Sequence, residues 1–293
     1  MATTSVETLL ATWGATDAGF RIWATAWHDT LIALGLTQEY SNIDLTTVTM
    51  PTNSQTEAGA RVYALNDSLS GTREIYLRVG WGRGSTTSGD YGFRISLTIG
   101  TTHSSGTVGG YGFSGYITCQ HGSLADGGLV GARTETGIVL FTNVSHSTNL
   151  QTGFMLERTA KAGTPNTQGY VLLYFGQTTD TTGTSGSESA MRAVNIDSGT
   201  VYPRLSLTSS TFSMNQVASS SSAMSYLSKA PLLPIATFGD NDPLLNLVIS
   251  TYEQRTAGTI FSATVNGVAG TYRIPKNLIF APSNGGCALK VAD

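Results

Sequence analysis

Near the start of the chain, large apolar residues recur at spacings of three and four. This spacing places them on one stripe of a helix of about 18 residues, and the residues are Phe20, Trp23, Trp27, Leu31 and Leu34. Thr16 or Asp17 is suited to cap the start of this helix, and Gly35 to end it. Because the stripe carries three large aromatic rings, it needs a large apolar surface to dock on. We consider two such surfaces: the chain's own sheet, and a neighbouring subunit that would contact Phe20, Trp23, Trp27 and Leu31.

From about residue 45 onward, apolar and polar residues alternate instead. The clearest case is segment 91–100, where one face would carry Phe93, Ile95, Leu97 and Ile99. This alternation is typical of an antiparallel strand with one buried face, and residues 83–90 would form the hairpin loop before it. Similar segments predict strands at 60–66, 73–82, 116–120, 137–144, 152–158, 170–177, 191–196 and 204–208.

The C-terminal part begins with a change of composition. Residues 209–229 are poor in large side chains and rich in Ser and Ala, which predicts a linker or an extended crossover. Strands are predicted beyond it at 244–252, 259–265 and 270–280, with a hairpin turn at Asn266-Gly267. Segment 244–252 has a helical alternative, because Asp242 followed by Pro243 resembles a helix start.

These patterns predict a mainly β fold with an antiparallel β sandwich or barrel-like body, one N-terminal amphipathic helix and a small C-terminal β segment. The 293 residues suffice for one large β domain or two smaller ones. We place the boundaries at a helical segment 1–40, a β-rich body 41–208, a Ser-rich linker 209–230 and a C-terminal β segment 231–293.

Charged residues make up only 12% of the chain, about half the usual share. Isolated soluble proteins rely on surface charge to stay apart, so this composition favours an assembled state. The net charge is −3 and Lys and Arg form no run, which argues against nucleic acid as a partner. The two cysteines, Cys119 and Cys287, predict neither a disulfide framework nor a zinc site. We also expect no signal peptide and no membrane span.

A glycine-rich segment, 110–115, matches the pattern GxGxxG letter for letter. The dinucleotide-binding fingerprint requires a strand before this pattern and a helix after it. Here the pattern follows a polar loop and precedes a predicted strand. We therefore interpret it as a glycine-rich loop and predict no cofactor.

Residues with metal-binding side chains show no clear site either. The four histidines, His28, His103, His121 and His146, lack the short spacings that bring two ligands onto one metal. The cluster 240–242 (Asp-Asn-Asp) lacks the rest of a calcium loop and is more typical of a turn held by Asx hydrogen bonds. A structural cation at this cluster remains the weaker alternative.

No catalytic constellation emerges from the sequence. Glycoside hydrolysis needs two carboxylates facing a sugar across a groove, and the available ones stand in no recognisable arrangement; they are Asp126, Glu135, Glu157 and Glu188. A nucleophile elbow, an HExxH motif and a P-loop are all missing. We therefore predict that the chain is not an enzyme. Four aromatic residues beside loops are placed to stack on sugars, although core or interface packing is their commoner use: Trp81, Tyr91, Tyr111 and Phe113.

Residues from about 20 to 110 resemble uncharacterised virion structural proteins encoded in the tail modules of tailed bacteriophages. The resemblance lies in Trp23 and Trp27, segment 34–36 with Gln38, segments 47–51, 75–82 and 95–100, and the pairs 62–63 and 66–67. Segment 243–275 is similar to the ends of such chains, whereas the middle matches only in being β-rich and full of Gly and Thr. The resemblance implies a particle component and brings no catalytic residues with it.

We therefore expect a structural component of a tailed-phage virion, from the tail, baseplate or neck, assembled in the host bacterial cytoplasm. Its expected partners are other phage structural proteins and copies of itself. The alternative is a receptor-binding tail protein that recognises host cell-surface glycan through loops such as 104–115. A glycan depolymerase is a third, weaker alternative.

Overall fold

The structure is a computed structural model, and it describes most of the first 200 residues and several shorter C-terminal segments. The described residues are 3–10, 16–53, 56–67, 74–83, 92–110, 113–120, 127–135, 137–142, 153–161, 164–175, 177–180, 185–186, 190–195, 205–206, 233–234, 248–251, 259–265, 268–273 and 286–293. The predicted linker 209–230, the loop 83–90 apart from Arg83, and the turn 266–267 therefore lie outside the described residues.

The described residues form one helix and a long series of antiparallel strands. In chain order the elements are β1 (Thr4–Leu10), α1 (Asp17–Ala33), β2 (Thr37–Ser41), β3 (Glu57–Ala64), β4 (Tyr76–Arg83), β5 (Gly92–Gly100), β6 (Thr102–Ser104), β7 (Thr107–Gly109), β8 (Phe113–Gln120), β9 (Gly127–Arg133), β10 (Gly137–Thr142), β11 (Gly153–Lys161), β12 (Thr164–Phe175), β13 (Gln177–Asp180), β14 (Ser185–Gly186), β15 (Ala190–Asn195), β16 (Leu205–Ser206), β17 (Leu233–Pro234), β18 (Val248–Thr251), β19 (Ile260–Val265), β20 (Val268–Arg273) and β21 (Gly286–Ala292).

The strands form three larger sheets and one small hairpin. The first sheet has the order β1-β9-β10-β11-β12-β15-β16, and the second has the order β14-β13-β8-β5-β4-β3-β2. The third sheet has five strands in the order β17-β18-β21-β20-β19, and β6 pairs with β7. The predicted fold class is confirmed: the chain is mainly β and antiparallel, with one helix near the N-terminus and short C-terminal strands. The ambiguous segment 244–252 contains strand β18 and no helix in its described part.

Helix α1 begins and ends where the sequence predicts. The hydroxyl of Thr16 accepts a hydrogen bond from the backbone N–H of Gly19 at 3.1 Å, which caps the start. Gly35 follows the last turn with φ +82°, a left-handed conformation that glycine adopts without steric cost. The backbone N–H of Gly35 donates to the carbonyl of Ile32 at 2.8 Å, so the helix ends in a hydrogen-bonded turn.

The main core lies between the first and second sheets, and α1 packs inside it. Trp27 stacks on Phe154 of the first sheet, with ring centroids 6.4 Å apart. Trp23 contacts Phe93 of the second sheet, with centroids 4.9 Å apart. The alternation predicted for segment 91–100 is realised here, since Phe93, Ile95, Leu97 and Ile99 all belong to this core. The helix therefore joins the two sheets through its aromatic stripe.

The third sheet packs on the opposite face of the first sheet. Arg273 of β20 donates to both carboxylate oxygens of Glu7 in β1, at 2.8 and 3.1 Å. Asp293 accepts hydrogen bonds from the backbone N–H and the hydroxyl of Thr3, each at 2.6 Å. Tyr272 of β20 is fully buried, and this burial, together with the charge of Glu157 in β11, raises the pKa of Tyr272 to about 12. The C-terminal strands thus cover the first sheet.

A small ionic cluster links the first and second sheets. Arg158 of β11 donates to both carboxylate oxygens of Asp67, which follows β3, and only 2% of either side chain is exposed. Arg133 of β9 donates to the carbonyl of Leu34 at the end of α1 at 3.0 Å, and to the carbonyl of Leu65 at 2.8 Å. Burial lowers the pKa of Arg133, and the charge of Asp67 partly opposes this effect. We call Asp67, Arg133 and Arg158 the ionic joint.

Candidate interaction surfaces

The four residues proposed as a subunit interface lie inside the chain's own core. Phe20, Trp23, Trp27 and Leu31 each have 0% of their surface exposed in the single chain. The docking surface of the helix stripe is therefore the chain's own pair of sheets, the first of the two alternatives drawn from the sequence. A neighbouring subunit cannot contact these side chains unless the core opens.

The outward face of α1 carries two exposed apolar side chains instead. Ile22 is 48% exposed and Ile32 is 41% exposed. They lie on either side of Asp29, which is also exposed. Two separate apolar side chains are common on protein surfaces, so this face by itself does not identify a partner.

The most exposed large apolar side chain of the described residues is Ile260, at 60%. It begins β19, which forms one edge of the third sheet and is hydrogen-bonded to β20 on its inner side. Along β19, exposed residues (Ile260, Ser262 and Thr264) alternate with half-buried ones. The half-buried Phe261 stacks on Tyr272, with ring centroids 6.1 Å apart, which anchors the strand to the sheet.

The other edge strands differ from β19 in ways that discourage pairing with another chain. Edge strands are usually kept from pairing by charged side chains, bulges or very short length. Strand β1 has Glu7 at its centre, and β2 has Glu39 at its centre together with a register shift between Gln38 and Tyr40. Among the described residues, the remaining edges of the three larger sheets, β14, β16 and β17, are two residues long, and the hairpin strands β6 and β7 are three residues long.

Strand β19 has none of these protective features. It has six residues, Ile-Phe-Ser-Ala-Thr-Val, none of them charged, and its register with β20 shows no shift. The sequence already shows the uncharged character of this edge, because residues 256–272 contain no charged residue. The strand and its hairpin turn were predicted, but pairing order decides which strand is an edge, and alternation within one segment does not reveal that order.

A second ionic cluster lies on the face of the second sheet that points away from the core. Glu57 of β3 accepts hydrogen bonds from Arg78 of β4 and from the hydroxyl of Ser96 in β5. The side chains of Arg78 and Glu57 are 22% and 25% exposed. The three residues join three neighbouring strands, so we interpret the cluster as structural.

His28 of α1 lies where the helix meets the second sheet. Its Nδ1 is 2.8 Å from the hydroxyl of Tyr63 in β3. Burial, and then the charge of Arg61, lowers the pKa of His28 from its ordinary value of 6.5, and Asp29 acts in the opposite direction. Burial also raises the pKa of Tyr63. The pair can hold one proton between a ring nitrogen and a hydroxyl, and this contact ties the helix to the sheet.

Strands β6 and β7 carry a partly exposed group of aromatic rings and hydroxyls. His103 lies against Tyr76 of β4, with ring centroids 4.6 Å apart. Tyr40 of β2 lies against Gly106 in the turn of the hairpin, where a Cβ would be 2.3 Å from the Tyr40 ring. The hydroxyl-bearing residues Thr102, Ser104 and Thr107 are exposed. We call Tyr40, Tyr76, His103 and the hairpin 102–109 the hairpin patch.

The structure places the other sequence candidates apart or outside the described residues. Glu135 is exposed, whereas Glu157 is 1% exposed between the first and third sheets. Of the aromatic residues considered for sugar stacking, Trp81 is fully buried and packs in the core, which is the commoner use of such a residue. These other candidates lie outside the described residues: Asp126, Glu188, His121, His146, Tyr91, Tyr111 and the cluster 240–242.

The GxGxxG segment is followed by a strand and not by a helix in its described part. Gly110 comes directly after β7, and Gly115 lies within β8.

The described part of the chain shows neither a metal-binding cluster nor a membrane-spanning helix. Its His, Cys, Asp and Glu side chains form no group of three or more that would suit a metal ion. Among the same residues, no helix has the length and apolar character that crossing a membrane requires.

Comparisons of the chain with protein-family models, curated proteins and solved structures find no match.

Proposed function

We propose that this chain is a non-enzymatic structural subunit of a tailed-phage virion, from the tail, baseplate or neck, and that it acts by packing against other subunits. The observation that carries the proposal is the edge of the third sheet. Strand β19 presents an uncharged edge with Ile260 at 60% exposure. An edge of this kind is a template for pairing with another chain, and proteins that work alone protect such edges.

The low charge of the chain supports the same proposal. Only 12% of the residues are charged, and three of these form the buried ionic joint. Little charge then remains to keep copies of the chain apart. The assignment to a phage particle comes from the resemblance of segments that here build α1, β4 and β5.

Size-exclusion chromatography with light scattering tests the proposal. The purified chain is measured alone over a range of micromolar concentrations, and again with each purified structural protein of the particle. We expect the mass to rise with concentration, or a stable complex with at least one of these proteins. A chain that stays monomeric throughout and binds none of them would refute the proposed function.

Binding of host cell-surface glycan is the second candidate, and the hairpin patch favours it. Aromatic rings beside exposed hydroxyls suit a sugar, because a ring can stack on its apolar face while hydroxyls exchange hydrogen bonds. Burial raises the pKa of Tyr76, and the nearby carboxylates of Glu74 and Glu39 raise it further.

A glycan array with the wild type and Tyr76→Ala would test this candidate. The variant should lose binding, whereas Thr37→Ala, on the exposed edge of β2, should retain it.

A further inference from the structure

We propose that β19 pairs with β19 of a second copy of this chain, antiparallel and across a two-fold axis. Two five-stranded sheets would then join into one continuous sheet. This inference rests on the proposed function, because it names the partner at one surface of the structural subunit. It adds the strand, its register and the symmetry of the contact.

The hydrogen bonds of β19 leave room for a partner. In an antiparallel pair, every second residue points its backbone N–H and C=O at the neighbouring strand, and the residues between point theirs away. β19 is paired with β20 through all six of its residues. About half of its backbone groups therefore point outward from the edge of the sheet, where no other strand among the described residues pairs with them.

The charge pattern of β19 is compatible with pairing to its own copy, whereas the patterns of β1 and β2 oppose it. A two-fold axis perpendicular to the sheet places a central residue opposite its own copy, so a charge there meets a like charge. In β19 the central residues are Ser262 and Ala263, which are small and neutral. The longer edges of the other sheets have glutamate at this position, Glu7 in β1 and Glu39 in β2. Self-pairing would thus be opposed at β1 and β2 and unopposed at β19.

The faces of the strand restrict the register. Directly opposite residues in an antiparallel pair share one face of the sheet, so exposed residues must meet exposed residues. With Ser262 opposite its own copy, Ile260 lies opposite Thr264 of the partner. With Ala263 at the axis, Ser262 lies opposite Thr264 of the partner instead. In the first register, Thr264 of the partner covers part of the exposed Ile260.

The contact should be weak when it acts alone. A pair of six-residue strands buries less than the roughly 1,200 Å² typical of stable, specific interfaces. We therefore expect dissociation constants of about 10 μM or weaker for the isolated chain. In a particle, where other contacts hold copies close together, the effective concentration would exceed this value.

Sedimentation velocity on the full chain, from about 1 to 300 μM, tests the pairing. Two variants place either a negative or a positive charge at residue 262. Ser262→Glu and Ser262→Lys each place like charges directly opposite each other in the first register and diagonally opposite in the second, so each should weaken the dimer, by about fivefold in the first register. An equal mixture of the two variants should restore association to the wild-type level, because Glu then faces Lys. Ser104→Glu, the same change at an exposed residue of β6, is the matched control and should leave association unchanged. Circular dichroism checks that each variant is folded.

The outcomes separate this inference from the proposed function. If the wild type self-associates and neither Ser262 variant weakens it, β19 is not the contact, while the structural role stands. If the single variants weaken association and the mixture does not restore it, the two-fold register is wrong. If the wild type is monomeric throughout but binds another particle protein, only the self-pairing fails. If it is monomeric and binds none, both proposals fail.

Discussion

The ionic joint and the edge of the third sheet use charge in opposite ways. Inside the body, Asp67 and Arg158 form an ion pair with 2% of each side chain exposed, and they tie the first sheet to the second. At the edge, β19 has no charged residue although Ile260 is 60% exposed. In soluble proteins a fully buried ion pair is uncommon, and an edge strand of this length usually carries a charge or a bulge. Charge therefore holds two sheets together inside the body, whereas the edge that we propose another copy covers is neutral.

Breaking the ionic joint should have the largest effect on stability. Asp67→Asn leaves the guanidinium of Arg158 buried without its counter-charge, and losing one partner of a buried pair costs about 3–5 kcal/mol. Urea denaturation should show this loss in the free energy of unfolding. Glu39→Gln, at the centre of the exposed edge β2, is the control and should change it by less than about 0.5 kcal/mol. Equal effects of the two changes would remove the distinction between internal and edge charges.

The two faces of α1 allow the same comparison for apolar residues. Leu31 is fully buried and Ile32 is 41% exposed, although they are neighbours in sequence. Leu31→Ala should lower the free energy of unfolding by about 2–5 kcal/mol, because it removes buried methyl groups and leaves a cavity. Ile32→Ala should cost less than about 1 kcal/mol. Thermal or urea unfolding measures both, and a larger loss for Ile32 would mean that the helix is oriented differently.

Breaking a partly exposed ion pair should cost less stability than breaking the ionic joint and more than removing an edge charge. Glu57 contacts Arg78 and Ser96, and the ion pair is about one quarter exposed. Glu57→Gln should lower the free energy of unfolding by about 1 kcal/mol, because solvent screens a partly exposed pair. Urea denaturation beside Asp67→Asn and Glu39→Gln gives the ranking. If the loss does not decrease in the order Asp67, Glu57, Glu39, then burial does not set the value of charge in this protein.

The smallest expected effect concerns the protonation of His28. Its pKa is lowered in the folded chain, chiefly by burial. Between the folded pKa and the ordinary value of 6.5, the unfolded chain binds more protons, so stability is lost as the pH falls through this window. An NMR titration of the imidazole should give a pKa below 6.5, and Asp29→Asn should lower it further, because Asp29 raises it. A His28 pKa above 6.5 would contradict the placement of this side chain.

The sequence predicts the elements whose periodicity is local. The spacing of Trp23 and Trp27 predicts α1, because every third or fourth residue of a helix faces the core. The alternation around Ile95 predicts β5, because every second residue of a strand faces the core. Strand β9 was missed, since its segment Gly-Gly-Leu-Val-Gly-Ala-Arg is rich in glycine. It is nevertheless a strand, because β1 and β10 pair with it on both sides. Its Gly131 lies where a Cβ would be 2.7 Å from Leu34 of the helix end.

The interaction surfaces were less accessible from the sequence, because they depend on contacts between distant residues. Asp67 and Arg158 are 91 residues apart in the chain, and no local pattern marks them as partners. The aromatic stripe of α1 indicated correctly that a large surface was needed, but its spacing cannot tell the chain's own sheets from a neighbour. The edge position of β19 likewise follows from the order β21-β20-β19, which alternation does not encode.

Hydrogen exchange at β19 tests most directly whether another copy of the chain covers this edge. Amide exchange of a peptide spanning residues 259–265 is measured by mass spectrometry at about 1 μM and at about 300 μM. If two copies pair through β19, the amides that point away from β20 exchange more slowly at the high concentration, while those of β2 do not change. Exchange at β19 that is equally fast at both concentrations would contradict the account.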